Sequence, residues 1–324
     1  MIVGHRRNLV YLERVLERGT LAHAYLFAGP DAVGKRTCAI AVSRFLLCEE
    51  KHVSFSEWLG KEEQCECASC SMAEAKTHPD LIELSLGEPL VGDALKREVG
   101  IKNIHELQRR LTRTSWRGGW KAIVIDQAHE LSQEAQAALL KSLEEPREKT
   151  VFFLVTDRPG ALLATIRSRA LPIGFTTVAD TDVAPLLKEM SVRERNELLA
   201  VARQRPGILV RAKGEAAFYK SLVARDVKFL GVLEADLPDQ FSFAEKVSRD
   251  EIEGRTFFTF LLEYLRTELI RTALPGEDRK PARSLSALQL LLRRTGEALQ
   301  LLEHTTANRR LLLDRVFVNL HVFS

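Results

Sequence analysis

Residues 24–37 read Ala-Tyr-Leu-Phe-Ala-Gly-Pro-Asp-Ala-Val-Gly-Lys-Arg-Thr. The run Ala24–Ala28 is a short apolar strand signal, and residues 36–47 carry helical patterning. Between them, Gly29-Pro30-Asp31-Ala32-Val33-Gly34-Lys35 fits the spacing G-x-x-x-x-G-K. Glycines at both ends let successive backbone N–H groups wrap a phosphate. The helix N-terminus adds partial positive charge and Lys35 a full one. Strand, loop and helix in this order predict a P-loop core; the other reading is a glycine-rich turn without ligand.

The residue after the lysine departs from the motif. A serine or threonine hydroxyl there holds Mg²⁺, but this chain has Arg36, with Thr37 one position late. Arginine cannot ligate a metal, and one step along a helix turns a side chain by about 100°. ATP or ADP is therefore expected to bind weakly or not at all, through the backbone and Lys35. A second departure lies in Ile123-Val124-Ile125-Asp126-Gln127. Asp126 ends an apolar strand, where a carboxylate can hold Mg²⁺; its other reading is a helix N-cap. Gln127 stands where a glutamate would polarise the attacking water, and losing such a base typically costs ~10²–10⁴-fold in rate. Little or no intrinsic ATPase activity is expected.

Working outward, Leu81–Leu84, 122–125 and 151–155 repeat the strand signal, with helical patterns over 102–113 and 132–145 between them. Alternation of this kind predicts a mostly parallel sheet covered on both faces. After about residue 177 the strand signal fades. Short helices are expected over 180–213, ending near Arg205-Pro206-Gly207, and long ones over 257–272, 286–304 and 308–322. Two prolines and a glycine over 274–282 predict an exposed loop. The expected organisation is an α/β P-loop core over 1–176, a small helical lid over 177–214 and an all-helical collar over 215–324.

A net charge of +3 on 324 residues neither demands nor excludes nucleic acid, so any basic surface must be local. One such stretch contains Lys96, Arg97, Lys102, Arg109, Arg110, Arg113, Arg117 and Lys121, opposed by Glu98 and Glu106 and interspersed with Trp116 and Trp120. It reads either as a phosphate-tracking surface or as a solvated helix face. No apolar run approaches the roughly 20 residues of a membrane span, and residues 1–18 lack the apolar core of a signal peptide, so a cytoplasmic location is expected. Of five cysteines, Cys48, Cys65, Cys67 and Cys70 are spaced as a thiolate set for structural Zn²⁺, while Cys38 falls on the helix after the P-loop and reads as core.

Further segments make the pattern specific: His23-Ala-Tyr-Leu-Phe27, His78-Pro79-Asp80, 101–107 (IKNIHEL), Gly118-Gly119-Trp120-Lys121, 138–146 (ALLKSLEEP) and 163–169 (LATIRSR). In this order they resemble the bacterial DNA polymerase III clamp-loader subunits, an AAA+ family, across residues 20–176. Within that family Lys35-Arg36-Thr37, Asp126-Gln127, the length and 308–314 (NRRLLLD) favour the delta-prime stators over the gamma/tau motors; an active motor of the gamma/tau kind is the alternative. The resemblance implies a hetero-oligomer with gamma/tau and delta subunits, acting on a sliding clamp and on primed DNA. It implies that the basic stretch faces DNA, and that Thr156 is the sensor near the γ-phosphate. It implies that Arg169, in Ser168-Arg169-Ala170, is an arginine finger reaching the nucleotide of a neighbouring subunit. An ordinary surface salt bridge is the other reading of Arg169, Arg167 competes for the finger role, and Ala170 departs from the family's cysteine. The family's zinc module is C…C-x₂-C-x₂-C; the single residue between Cys65 and Cys67 departs from it. A small-molecule kinase on the same P-loop would need a substrate pocket, which nothing in the helical last third suggests.

Overall fold

The computed structural model describes residues 2–50, 54–60, 65, 67–86, 99–188, 190–273, 283–304 and 307–322. The expected loop over 274–282 lies outside them, as do Lys96, Arg97 and Glu98. The chain forms two compact units, Met1–Val210 and Arg211–Ser324.

The first unit is built on a five-stranded parallel sheet. Strands β1 (Ala24–Ala28), β2 (Leu81–Leu84), β3 (Lys121–Ile125), β4 (Thr150–Thr156) and β5 (Leu171–Gly174) lie in the order β2-β3-β4-β1-β5. Every position of β3 and β4 is buried, as required of central strands covered on both faces. Alternation sorts their side chains. Tyr25, Phe27, Val124, Phe153 and Val155 pack on one face with Val33, Cys38 and Val42 from the P-loop and the helix Lys35–Leu47. Leu26, Ile123, Ile125, Phe152 and Leu154 pack on the other, against Ile104 and Leu107 of the helix Ile101–Thr112 and Leu139 and Leu143 of the helix Gln133–Glu144. Cys38 is fully buried in the first of these layers.

Strand β5 has no counterpart in the sequence reading. Leu171-Pro172-Ile173-Gly174 buries one residue of four and pairs with β1 alone, with Tyr25 opposite Leu171 and Ala28 opposite Gly174. A proline is tolerated because the strand is at the edge. Helical pattern also continues past Arg205-Pro206-Gly207 instead of ending there. Pro206 opens the helix Pro206–Gly214, the position where its missing N–H costs nothing.

The second unit is all helical: Ala216–Glu234, Leu237–Ser248, Glu251–Ala273, Leu285–His304 and Arg309–Val322. Its core is aromatic, with Phe229, Phe243, Phe257, Phe260 and Phe317 buried together and the rings of Phe243 and Phe257 5.0 Å apart, edge to face. Among the described residues no helix is long and apolar enough to cross a membrane.

Candidate functional site

The P-loop lies at the C-terminal edge of the sheet, where β1 hands over to the helix Lys35–Leu47. Gly29 has φ 153°, and a Cβ there would fall 2.1 Å from the carbonyl oxygen of Phe175, so only glycine fits. Gly34 precedes the helix with φ 102°. Neighbouring segments brace the loop through its carbonyls. The ring Nε2 of His5 is 2.8 Å from the Val33 oxygen, and the Gly207 N–H donates to the Ala32 oxygen at 2.8 Å. Neither brace has a local sequence signal. Lys35 folds back on the same loop, donating from Nζ to the carbonyls of Gly29 at 2.8 Å and Pro30 at 2.5 Å. Burial pulls the Lys35 ammonium below its usual range, against the opposing fields of Asp31, Asp157 and Asp126.

Arg36 occupies the metal side of this site. Its Nη2 donates to Glu83 Oε2 at 2.6 Å and its Nε is 3.6 Å from Asp126 Oδ2. A guanidinium thus lies between the carboxylate of β2 and the carboxylate ending β3. Asp126 does not cap a helix: its Oδ1 accepts the N–H of Gln127, which is left-handed at φ 49°. Burial pushes the Asp126 carboxyl up, with Arg36 pulling it back. Thr37, the next residue of the same turn, is exposed. Lys35 and the helix N-terminus suit a phosphate. The carboxylates a divalent ion would use are already paired with Arg36, so the residues present do not fit a metal–nucleotide complex.

Thr156 ends β4, 1% exposed, and its hydroxyl is engaged by protein. Its Oγ1 is 3.0 Å from His129 Nδ1 and accepts the Arg158 N–H at 3.0 Å. His129 Nε2 is 3.1 Å from Glu130 Oε1 and its Nδ1 is 3.2 Å from Asp157 Oδ1, while Arg158 pairs with Glu130. Hydrogen bonding by His129, helped by the Arg158 charge, holds the Glu130 carboxyl below its ordinary range. This polar group ties Thr156 to the turn after β3. Sequence reasoning missed it, since no spacing marks residues 27 apart as partners.

Arg169 lies elsewhere. It lies two residues before the first residue of β5, and because β5 runs parallel to β1, the start of β5 is at the sheet edge opposite the P-loop. About 10 Å of strand, at ~3.3 Å per residue, separates Leu171 from the level of Ala28. Its Nη2 donates to Glu144 Oε1 at 2.8 Å, its Nη1 donates to the Thr165 carbonyl at 3.0 Å, and the side chain is 36% exposed. Arg167 is exposed at the end of the helix Ala164–Arg167.

The four predicted cysteines converge. The sulfurs of Cys48, Cys65, Cys67 and Cys70 all lie within 4.8 Å of one another. Cys48 Sγ is 3.5 Å from Cys65 Sγ and 3.9 Å from Cys67 Sγ, close to the ~3.8 Å edge of a tetrahedron with 2.3 Å metal–sulfur bonds. The donor set therefore fits one divalent soft ion. Cys67 and Cys70 flank the start of the helix Ala68–Glu74, whose Ser69 hydroxyl donates to the Leu47 carbonyl at 2.6 Å. His78 accepts the Asp80 N–H at Nδ1, so its Nε2 carries the proton and donates to Ser69 Oγ at 2.8 Å. The His78-Pro79-Asp80 segment thereby anchors the cysteine module to the strand it precedes, and Asp80 also accepts the Trp116 N–H at 2.6 Å.

Among the described residues of the basic stretch, several charges are engaged within the protein. Lys121 is buried, with Nζ donating to the carbonyls of Arg110, Leu111 and Arg113, where it caps the C-terminus of the helix Ile101–Thr112. Arg109 and Arg110 both hold Glu106, at 2.7 and 3.0 Å. Lys102 and Arg113 are exposed.

The arrangement around Arg36 gives a direct expectation. Replacing Arg36 with threonine leaves Glu83 and Asp126 without the cation between them. Arg36→Thr is expected to lower the melting temperature, and to bind Mn²⁺ on the order of tenfold tighter than wild type, because two close carboxylates attract a divalent ion. Electron paramagnetic resonance of Mn²⁺ with both proteins measures this, and added Mn²⁺ should restore the lost stability. Equal Mn²⁺ binding by the two proteins would contradict the assignment.

Residues 4–179 match the family described as DNA polymerase III, delta subunit. The DNA polymerase III delta-prime subunit of Pseudomonas aeruginosa is 32% identical over 203 residues, 61% of this chain and 58% of that one. The Escherichia coli delta-prime subunit is 35% identical over 147 residues, 45% and 40% of the two chains. The Bacillus subtilis tau subunit is 31% identical over 178 residues, 55% and 29% of the two. The matches span about half the length of the delta-prime relatives. Among solved structures, a gamma subunit-related protein of Thermotoga maritima covers 97% of this chain and 99% of its own, at 16% identity and a TM-score of 0.38, too loose a likeness to argue from. On the match over residues 4–179, more than half of its length, the chain belongs to the DNA polymerase III delta-subunit family.

Proposed function

We infer that this chain acts as a delta-prime-like stator of the DNA polymerase III clamp loader, supplying an arginine to a neighbouring ATPase subunit and hydrolysing little or no ATP itself. The observation that carries this reading is the Arg36 guanidinium between Glu83 and Asp126. It puts a fixed organic cation where hydrolysis needs an exchangeable Mg²⁺, and Gln127 leaves the site without a carboxylate base. The same observation weighs against a gamma/tau-like motor.

Arg169 supports the second half of the reading. It is partly exposed at the sheet edge away from its own P-loop. A permanently charged planar fork offered at a subunit surface suits the charge that builds on a transferring phosphate. The partners are gamma/tau and delta subunits, a sliding clamp, and primed DNA through the assembly. Lys102 and Arg113 would contribute phosphate contacts of the sequence-independent kind. Residues 177–214 serve as lid and 215–324 as oligomerising collar. The four-cysteine cluster holds structural Zn²⁺ with no coordination position left for water. A set of four thiolates kept free of disulfides supports a cytoplasmic location.

Two measurements test these roles. In a loader reconstituted with its partners, Arg169→Ala is expected to lower DNA- and clamp-stimulated ATP turnover at least about tenfold, with assembly by gel filtration unchanged and Arg167→Ala close to wild type. Unchanged turnover would remove the finger. Metal analysis of the purified chain should find about one zinc per chain. Its removal by chelator should lower the melting temperature, and a content far below one would end the zinc assignment.

A further inference from the structure

The element Leu143-Glu144-Glu145-Pro146 has no part in the function proposed so far, and its local chemistry is unfavourable. Leu143 is 1% exposed and anchors the end of the helix Gln133–Glu144 in the core. Pro146 follows within two residues of that end and cannot continue the helix. Two glutamates therefore occupy the end of a helix, where unpaired carbonyls repel negative charge and lysine or arginine would be stabilising. Lys141 is the one basic residue of that last turn, and a second basic group comes from another element. Arg169 Nη2 donates to Glu144 Oε1 at 2.8 Å. The opposite arm of the guanidinium is held as well, with Nη1 donating to the Thr165 carbonyl at 3.0 Å and lying 3.4 Å from Ser168 Oγ.

We propose that Glu144 is the positioning residue of Arg169, fixing the guanidinium in the orientation from which it engages a neighbour's nucleotide. The proposal rests on the reading of Arg169 as a finger. An ion pair this exposed adds little to folding stability, so its effect falls on orientation. Long side chains lose rotamer freedom when they engage a ligand, and a donor already held by a carboxylate and a carbonyl has lost most of it beforehand. Holding the fork by one N–H of each arm leaves its remaining donors for phosphate oxygens. Glu145 caps the same helix, and no ion pair joins it to Arg169 among the described residues, so it serves as the control.

The test is a double-mutant cycle in the reconstituted loader, with melting temperatures and gel filtration showing that each variant folds and assembles. Glu144→Gln keeps the size and one acceptor oxygen of the side chain but removes its charge. It is expected to lower kcat for DNA-stimulated ATP turnover about three- to tenfold while leaving KM for ATP within about twofold, since orientation is lost but nucleotide binding is not. Glu145→Gln should match wild type. In an Arg169→Ala background, Glu144→Gln should cause no further loss, because the residue acts only through the arginine. An equal loss from Glu144→Gln in both backgrounds would overturn the proposal by showing a structural role, and so would an unchanged or raised kcat in the single variant. Unchanged turnover in Arg169→Ala would instead remove the finger reading, and this proposal with it.

Discussion

A guanidinium held between two carboxylates organises the nucleotide edge of this protein. Arg36, from the first turn of the helix after the P-loop, reaches Glu83 on β2 and Asp126 at the end of β3. In a hydrolysing P-loop protein the matching charge is a divalent ion that arrives with nucleotide and leaves with product. Arg36 is covalently fixed and always charged, so it joins the loop helix to two strands without an added ion. Lys35 is likewise turned onto the carbonyls of Gly29 and Pro30. A site wired in this way leaves no place for the exchangeable ion that a hydrolysing P-loop protein cycles.

Parallel sheet topology makes a division of labour possible. The P-loop must lie at the C-terminal ends of the strands, where helix N-termini converge on bound phosphate. Arg169 comes just before β5 and so falls at the other edge. A chain with this layout has one edge that receives nucleotide and another that can present a cation outward. In this protein the receiving edge is self-neutralised while the presenting edge keeps a partly exposed arginine braced by Glu144.

Much of the fold was legible in the sequence, and the failures have physical causes. β1 and β2 were delimited from their apolar runs, and β3 and β4 to within a residue at each end. β5 was not, because an edge strand with one buried residue and a proline carries almost no hydrophobic period. Arg36 was recognised as unable to bind metal, but its bridge to Glu83, 47 residues away, follows only from strand order. The cysteine set was readable from spacing, whereas its anchoring through Ser69 and His78 was not. Counting basic residues overstated the charge of the stretch before β3, since Lys121 is spent on capping a helix and Glu106 restrains two arginines. The His129 network behind Thr156 left no trace in the sequence, because it joins loops that only the sheet brings together.

The central claim is that the assembly uses an arginine of this chain but not its P-loop. The most direct test compares clamp-stimulated ATP turnover in loaders carrying either Lys35→Ala or Arg169→Ala in this subunit, at matched assembly. The account predicts turnover within about twofold of wild type for Lys35→Ala and a loss of at least about tenfold for Arg169→Ala. The reverse pattern, with Lys35→Ala abolishing turnover and Arg169→Ala silent, would show a working motor and contradict the account.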